Sequence, residues 1–176
     1  MIFTNSYSQQ DVNGWYWLNG RPSGNTLKWV KVFSASTMYA AGDRGTFMKT
    51  TDGGDTWSVN SQVGAPDNSS TGNLATRVLN IGWFFDANTG IVAGQSLSTN
   101  PGLISKTTDA GNSWTYYEYN DVAGGVVNGL YFINSTTGYL CGNTNASVRK
   151  TTDAGLTWTD ISGDLNLSNT WREESS

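Results

Sequence analysis

Three copies of one nine-residue motif recur along the chain: Lys49-Thr50-Thr51-Asp52-Gly53-Gly54-Asp55-Thr56-Trp57, Lys106-Thr107-Thr108-Asp109-Ala110-Gly111-Asn112-Ser113-Trp114 and Lys150-Thr151-Thr152-Asp153-Ala154-Gly155-Leu156-Thr157-Trp158. Repetition of a whole supersecondary unit constrains architecture before any other feature can, because each unit must bury its apolar face on a neighbour of the same kind. The motif speaks to how the chain folds and says little about what it binds.

The shared pattern is Ser/Thr-x-Asp-x-Gly-x-Thr/Ser-Trp, and each position has a mechanical reason. An Asp carboxylate accepts from backbone N–H groups two residues on and locks a turn. Gly supplies a positive φ at low cost. Thr and Trp then open a returning strand, where β-branched and aromatic residues sit well. The unit is a hairpin clasp, with Asp52, Gly54, Trp57, Asp109, Gly111, Trp114, Asp153, Gly155 and Trp158 as its structural residues. A calcium loop of the EF-hand kind needs carboxylates at alternate positions and a later Glu. That spacing is absent, so no metal ligand is assigned. The motif resembles the Asp-box, or BNR repeat, of β-propeller proteins.

The repeat extends upstream of the clasp. Val30–Gly42, Gly82–Gly94 and Leu130–Gly142 align without gaps, each an apolar run, a polar turn and a second apolar run ending in Gly. This predicts two inner strands per unit, at Val30–Phe33 and Tyr39–Ala41, Trp83–Phe85 and Ile91–Ala93, and Tyr131–Ile133 and Tyr139–Cys141. These strands are expected to hold the core between units, with Phe84 and Phe132 buried. A third strand covers Thr46–Thr50, Leu103–Thr107 or Ser147–Thr151, and a fourth starts at each motif Trp. We name the strands of a unit A to D. The expected fold is all-β, a partial β-propeller of three four-stranded antiparallel blades. The expected division is an N-terminal segment 1–20, blades at 21–62, 63–120 and 121–162, and a tail 163–176.

Composition agrees and excludes several functions. The 176 residues include 21 Gly, 8 Trp and 8 Tyr, and 14 % are charged. No stretch holds a helical period, and none is long and apolar enough to cross a membrane. A net charge of −4 argues against a nucleic-acid partner. The lone Cys141 falls on a predicted inner strand and is expected to be a small core residue. The chain has no His, which removes the commonest general base and metal ligand and any Ser-His-Asp triad. No catalytic residue, metal or cofactor is assigned.

The N-terminus carries a further strand signal. Trp15 precedes Gly42 by 27 residues, much as Trp114 precedes Gly142 by 28, so Trp15-Tyr16-Trp17-Leu18-Asn19 sits where an orphan D strand belongs. The opening Trp15-Tyr16-Trp17…Pro22…Gly24-Asn25-Thr26-Leu27, followed by Tyr39-Ala40-Ala41-Gly42-Asp43-Arg44-Gly45-Thr46 and the Asp-box, is similar to the start of Ycf48/Hcf136-like propellers and of secreted bacterial proteins built from the same repeats. The resemblance covers about residues 15–162. It implies a closed ring in which the N-terminal strand joins the last blade, and here the later blades lie outside the chain.

Sialidases also carry Asp-boxes. Their chemistry needs an arginine triad, a Tyr–Glu nucleophile pair and an acidic Asp. Of the five arginines, Arg21, Arg44, Arg77, Arg149 and Arg172, none forms the motif that opens a sialidase domain. Glu118, the only Glu inside the repeats, follows Tyr117 directly on a predicted strand, and neighbours on a strand point to opposite faces. A non-catalytic scaffold for protein interaction or assembly is the leading reading. A carbohydrate-binding module and a glycoside-hydrolase fragment follow it. Loop lengths say where function sits. The A–B turns and C–D clasps are constant, whereas the Gly-to-Trp spacing across the B–C loops is 15, 20 and 16 residues. Recognition is therefore expected on the B–C/D–A face, with Asp43, Arg44, Gln95, Asn100, Asp121, Asn143 and Asn145 as candidate binding residues. The expected partner is a protein, or a second copy joined through open blade ends, with carbohydrate as an alternative. An extracellular, cell-surface or periplasmic setting is expected, the export signal lying outside this chain.

Overall fold

A computed structural model describes residues 23–64, 77–97, 102–119, 125–142 and 148–165. Twelve strands form three separate sheets of four, each in the order A-B-C-D. Blade 1 is β1 (Leu27–Val32), β2 (Met38–Gly42), β3 (Thr46–Thr50) and β4 (Ser58–Asn60). Blade 2 is β5 (Arg77–Phe84), β6 (Gly90–Ser96), β7 (Gly102–Thr107) and β8 (Thr115–Tyr119). Blade 3 is β9 (Val127–Phe132), β10 (Gly138–Gly142), β11 (Val148–Thr151) and β12 (Thr159–Asp160), followed by a 3-10 turn at Ser162–Leu165. All pairing is antiparallel. The orphan strand expected at Trp15–Asn19 lies outside the described residues.

The A strands begin earlier than the apolar runs suggest, because each carries a bulge. Register shifts between Leu27 and Trp29, between Leu79 and Ile81, and opposite Cys141 and Gly142. The extra residue swings the strand against the Gly that ends strand B. A Cβ at Gly42 would collide with the Thr26 carbonyl oxygen, and one at Gly94 with that of Val78. In blades 1 and 2 the terminal Gly of the repeat is a close-approach residue of the bulge.

Apolar side chains meet in two seams between blades. In the first, Tyr39, Ala41 and Phe47 of blade 1, with Val63 just beyond β4, pack on Leu79, Phe84, Val92 and Leu103 of blade 2. Aromatic rings dominate it, with Tyr39–Phe84 centroids at 5.1 Å and Phe47–Trp114 at 4.9 Å. In the second, Ile91, Ala93 and Ile104 of blade 2 pack on Val127, Leu130, Phe132, Leu140 and Trp158 of blade 3. Phe84 and Phe132 are 5 % and 4 % exposed, so the expected register holds.

A lysine crosses each seam. Lys49 Nζ donates to Ala110 O (3.3 Å) and Asn112 Oδ1 (2.9 Å), and the equivalent Lys106 donates to Ala154 O (2.8 Å). Burial pushes the Lys106 ammonium below its usual pKa, against the pull of Asp153.

Two expectations are corrected at the ends of the stack. Cys141 is exposed rather than a core residue. In β10 only Leu140 turns into the seam, and alternation sends Cys141 to the outer face of blade 3. Val30 and Val32, expected in the core, are 64 % and 57 % exposed, because they face away from blade 2.

Candidate functional site

The three clasps share one geometry. Thr50, Thr107 and Thr151 donate their hydroxyl protons to Oδ1 of Asp52, Asp109 and Asp153 at 2.7–2.8 Å. The same three hydroxyls accept from the N–H groups of Gly54, Gly111 and Gly155. Each carboxylate then accepts from the backbone N–H and the hydroxyl of the residue four positions on, namely Thr56, Ser113 and Thr157. The sequence rule of two residues on therefore needs correction. Asp spans the whole turn, while the Thr hydroxyl takes the short-range N–H. Gly53, Ala110 and Ala154 donate their N–H to Ser36, Asn88 and Thr136 of the A–B turn of the same blade.

These bonds hold the carboxylates in their charged form. Asp52 lies well below the usual carboxylate range, chiefly through the Thr56 hydroxyl. The Thr157 hydroxyl and N–H bring Asp153 to about 2. At Asp109 partial burial works upward, but bonds from Ser113 and Thr107 outweigh it and leave the group lowered. A carboxylate whose oxygens are taken up by its own turn is a poor metal ligand and a poor proton donor. Among the described residues, no group of three or more acidic, Cys or His side chains is placed to hold a metal ion.

The opposite face is built differently. Asp43, Arg44 and Gly45 form the B–C turn of blade 1, with Arg44 and Gly45 at φ of 60° and 61°. Thr46 N–H closes it on Asp43 O at 3.2 Å, giving a type I′ hairpin turn. Blade 2 pins this turn in place. Gly45 N–H donates to Arg77 O at 3.1 Å, and Asp43 bridges Val78. Val78 in turn pairs with Gln95. Three candidates, Asp43, Arg44 and Gln95, therefore gather in one row across the first seam. Asn100, Asp121, Asn143 and Asn145 lie outside the described residues. Lys28 Nζ sits 3.3 Å from Asp43 Oδ1, in ion-pair rather than hydrogen-bond geometry. Both side chains are over a third exposed, so the pair contributes little.

Beside this row lies a residue that sequence reasoning did not assign to the site. Arg77, opposite Ser96 at the start of β5, is 7 % exposed. Its guanidinium carbon lies 5.3 Å from the centroid of the Tyr116 ring. Among the described residues, Nε and Nη1 find no hydrogen-bond acceptor. An Arg at the first position of an A strand, where the other blades carry Asn25 and Gly125, was the available signal.

Fold and faces together define the class, an Asp-box β-propeller with a scaffold edge and a polar loop face. A sequence model of the photosynthesis system II assembly factor YCF48 matches residues 8–164, and the chain belongs to that family. No curated protein sequence matches it. Among solved structures it is similar to YCF48 bound to D1 peptide, with 21 % identity and a TM-score of 0.59 over 80 % of this chain and 40 % of that one. It is also similar to YCF48 from Cyanidioschyzon merolae, with 17 % identity and a TM-score of 0.61 over 85 % and 45 %. An ancestral GH74 enzyme matches at 18 % identity and a TM-score of 0.56, over 75 % of this chain and 18 % of the enzyme. These likenesses are of fold. The chain spans less than half the length of the YCF48 structures it matches.

Proposed function

We propose that this chain is a non-catalytic protein-interaction scaffold of the assembly-factor kind, and that it takes a peptide segment of its partner on the loop face over the first seam. The observation that carries the reading is the guanidinium of Arg77. Arg stays charged in proteins, and a buried guanidinium whose Nε and Nη1 find no acceptor among the described residues costs stability. A carboxylate supplied from outside could accept from the Nε–H or from Nη1 and offset part of that cost. The Tyr116 ring, with its centroid 5.3 Å from the guanidinium carbon, supports the group from one side. The Asp43-Arg44-Gly45 turn and Gln95 form the rim against which the rest of the segment would lie.

The family model and the peptide-bound relative support a protein partner. The same reading includes self-association through the open blade ends and an extracellular, cell-surface or periplasmic setting. The location rests on the resemblance to secreted repeat proteins, and fractionation of the native cells tests it. Among the described residues the carbohydrate reading has one exposed ring, Tyr131, packed edge-on against Trp83 at 5.0 Å, and a glycan array tests it.

The decisive experiment titrates a D1 peptide into the wild-type chain and into Arg77→Met. Wild-type binding and a loss of tenfold or more in the variant are expected, since truncating one side of a buried charge pair costs about 2–5 kcal/mol. The thermal midpoint of the free variant should stay level or rise, because two buried N–H-bearing nitrogens unmatched among the described residues have been removed. A purely structural Arg77 would instead lower the midpoint and leave binding unchanged.

A further inference from the structure

The bulge in strand A leaves one residue of each blade outside the pairing of strands A and B. These residues are Lys28, Asn80 and Asn128. A bulge re-aims a side chain out of the alternation of its strand. Strand A is the edge of each sheet, and the A strands of neighbouring blades lie side by side. The three re-aimed side chains therefore meet in one row across both seams. Lys28 Nζ donates to Asn80 Oδ1 at 3.4 Å. Asn80 Nδ2 donates to Val127 O at 3.3 Å and to Asn128 Oδ1 at 3.4 Å. The row runs along the loop edge, since Lys28 Nζ also stands 3.3 Å from Asp43 Oδ1 in the B–C turn of blade 1.

The row is built unlike the clasps. In the clasps Thr bonds Asp at 2.7–2.8 Å, and the same two residue types recur in every blade. The row bonds are 3.3–3.4 Å long, and blade 1 puts Lys where the other two have Asn. Lys28 and Asn128 are exposed, and Asn80 is half-buried. Long bonds among groups that water reaches add little to stability and yield readily to a competitor. They also leave capacity over. An Asn amide has two N–H donors and an oxygen with two lone pairs, and among the described residues Asn128 uses only Oδ1. Such an amide carries the donor and acceptor of a peptide unit. Two of them in contact, one per blade, can meet the like-facing peptide units of an extended segment, which recur about every 7 Å.

We infer that the partner's segment lies along this row in extended form, across both seams, with its main-chain N–H and C=O groups taken by Asn80 and Asn128. This rests on the loop-face reading and deepens it. Arg77, three residues before Asn80 on β5, takes a charged group of the segment. The row takes the backbone beside it, whatever the side chains there.

The test titrates two series of the peptide proposed above. One series methylates single main-chain N–H groups, and the other cuts single side chains to Ala. Wild-type affinity should fall about fivefold or more, the worth of one hydrogen bond, on methylation at a position where the Ala change has no effect. Asn128→Ala should weaken the unmodified peptide by a similar factor and lose the sensitivity to that methyl group. Its thermal midpoint should not move, because Asn128 is exposed. Asn80→Ala should also weaken binding. Unchanged affinity in both variants overturns the inference. If Arg77→Met still loses binding in that case, the loop-face reading stands without the row. A lowered midpoint with full affinity in Asn80→Ala also overturns it, since the row would then only stitch the blades. A wild-type chain that binds no peptide overturns both readings.

Discussion

The two edges of each blade treat polar groups in opposite ways. On the clasp edge the carboxylates, hydroxyls and turn amides are spent on one another. Asp109 accepts from Thr107 and Ser113, Thr107 accepts from Gly111, and Ala110 N–H reaches Asn88 of the A–B turn. On the loop edge Arg77 is buried with Nε and Nη1 unmatched among the described residues, and Arg44 holds a positive φ that side chains disfavour. A satisfied edge repeats because any change breaks a bond within it. An unsatisfied one costs stability and has something left to offer a partner. Recurring polar residues in such a repeat therefore mark the frame, and non-recurring ones mark the place to look for binding.

The largest effect that tests this contrast lies in the seams that both edges depend on. Phe84 and Val32 occupy one aligned position, yet Phe84 is 5 % exposed and Val32 57 %. Phe84→Ala should cost about 3–5 kcal/mol in a denaturant titration. Val32→Ala should change stability by no more than about 0.5 kcal/mol. Equal costs would mean that the outer face of blade 1 is covered in solution at the concentration used, and repeating the titration at higher dilution would separate that case.

Breaking the clasp comes next. Asp109→Ala removes the bonds from the N–H and hydroxyl of the exposed Ser113, which water can then reach, and should lower stability by about 1 kcal/mol. Peptide binding should persist at temperatures where the variant stays folded. Lost binding in a folded variant would place recognition on the wrong edge.

Acid probes the same bonds without mutation. Asp153 titrates at about 2 in the fold and near 3.9 in the unfolded chain. A carboxylate depressed by folding contributes stability above its unfolded pKa and loses it as pH falls through the folded one. The thermal midpoint should therefore hold down to about pH 4 and drop between pH 4 and pH 2. Asp109 shares the direction, and Asp52 keeps its charge further into acid. Asp153→Asn should lower the midpoint at neutral pH and flatten the drop. An unchanged slope would mean that these bonds do not survive in solution.

How far the sequence reached follows the same division. The strands and the burial of Phe84 and Phe132 were legible because the repeat states them three times, and because one missing or added residue would turn every side chain over. Cys141 and Val30 were misread for one reason. Their aligned partners are buried by a following or preceding blade, and a repeat pattern does not say which copies stand at the ends of the described stack. The bulges were hidden because an unpaired residue in strand A has no composition signal of its own. Its trace is the terminal Gly42 or Gly94, read at first as strand punctuation. Arg77 was missed because its isolation is a property of three dimensions. Val78 bridging Asp43 on one side and pairing with Gln95 on the other is what places it beside the candidates.

The smallest effect is also the sharpest test of the loop edge. Arg44 is the one non-glycine residue with positive φ outside the clasps among the described residues, and its side chain is exposed. A side chain in the left-handed region stores about 1 kcal/mol or more, whereas Gly adopts it freely but loses more backbone entropy on folding. The two terms nearly cancel. Arg44→Gly should therefore shift stability by less than about 1 kcal/mol, with stabilisation the favoured direction. Arg44→Val should lose more than that, because a β-branched residue is a true outlier at this φ. If the turn is the rim of a peptide site, Arg44→Gly should weaken D1 peptide binding while the protein stays as stable as before. A Gly variant that binds unchanged would remove Arg44 from the site and leave Arg77 to carry recognition without it. A Val variant that costs nothing would show that the turn relaxes in solution, and that Asp43 and Gln95 are not held in the row the first seam gives them.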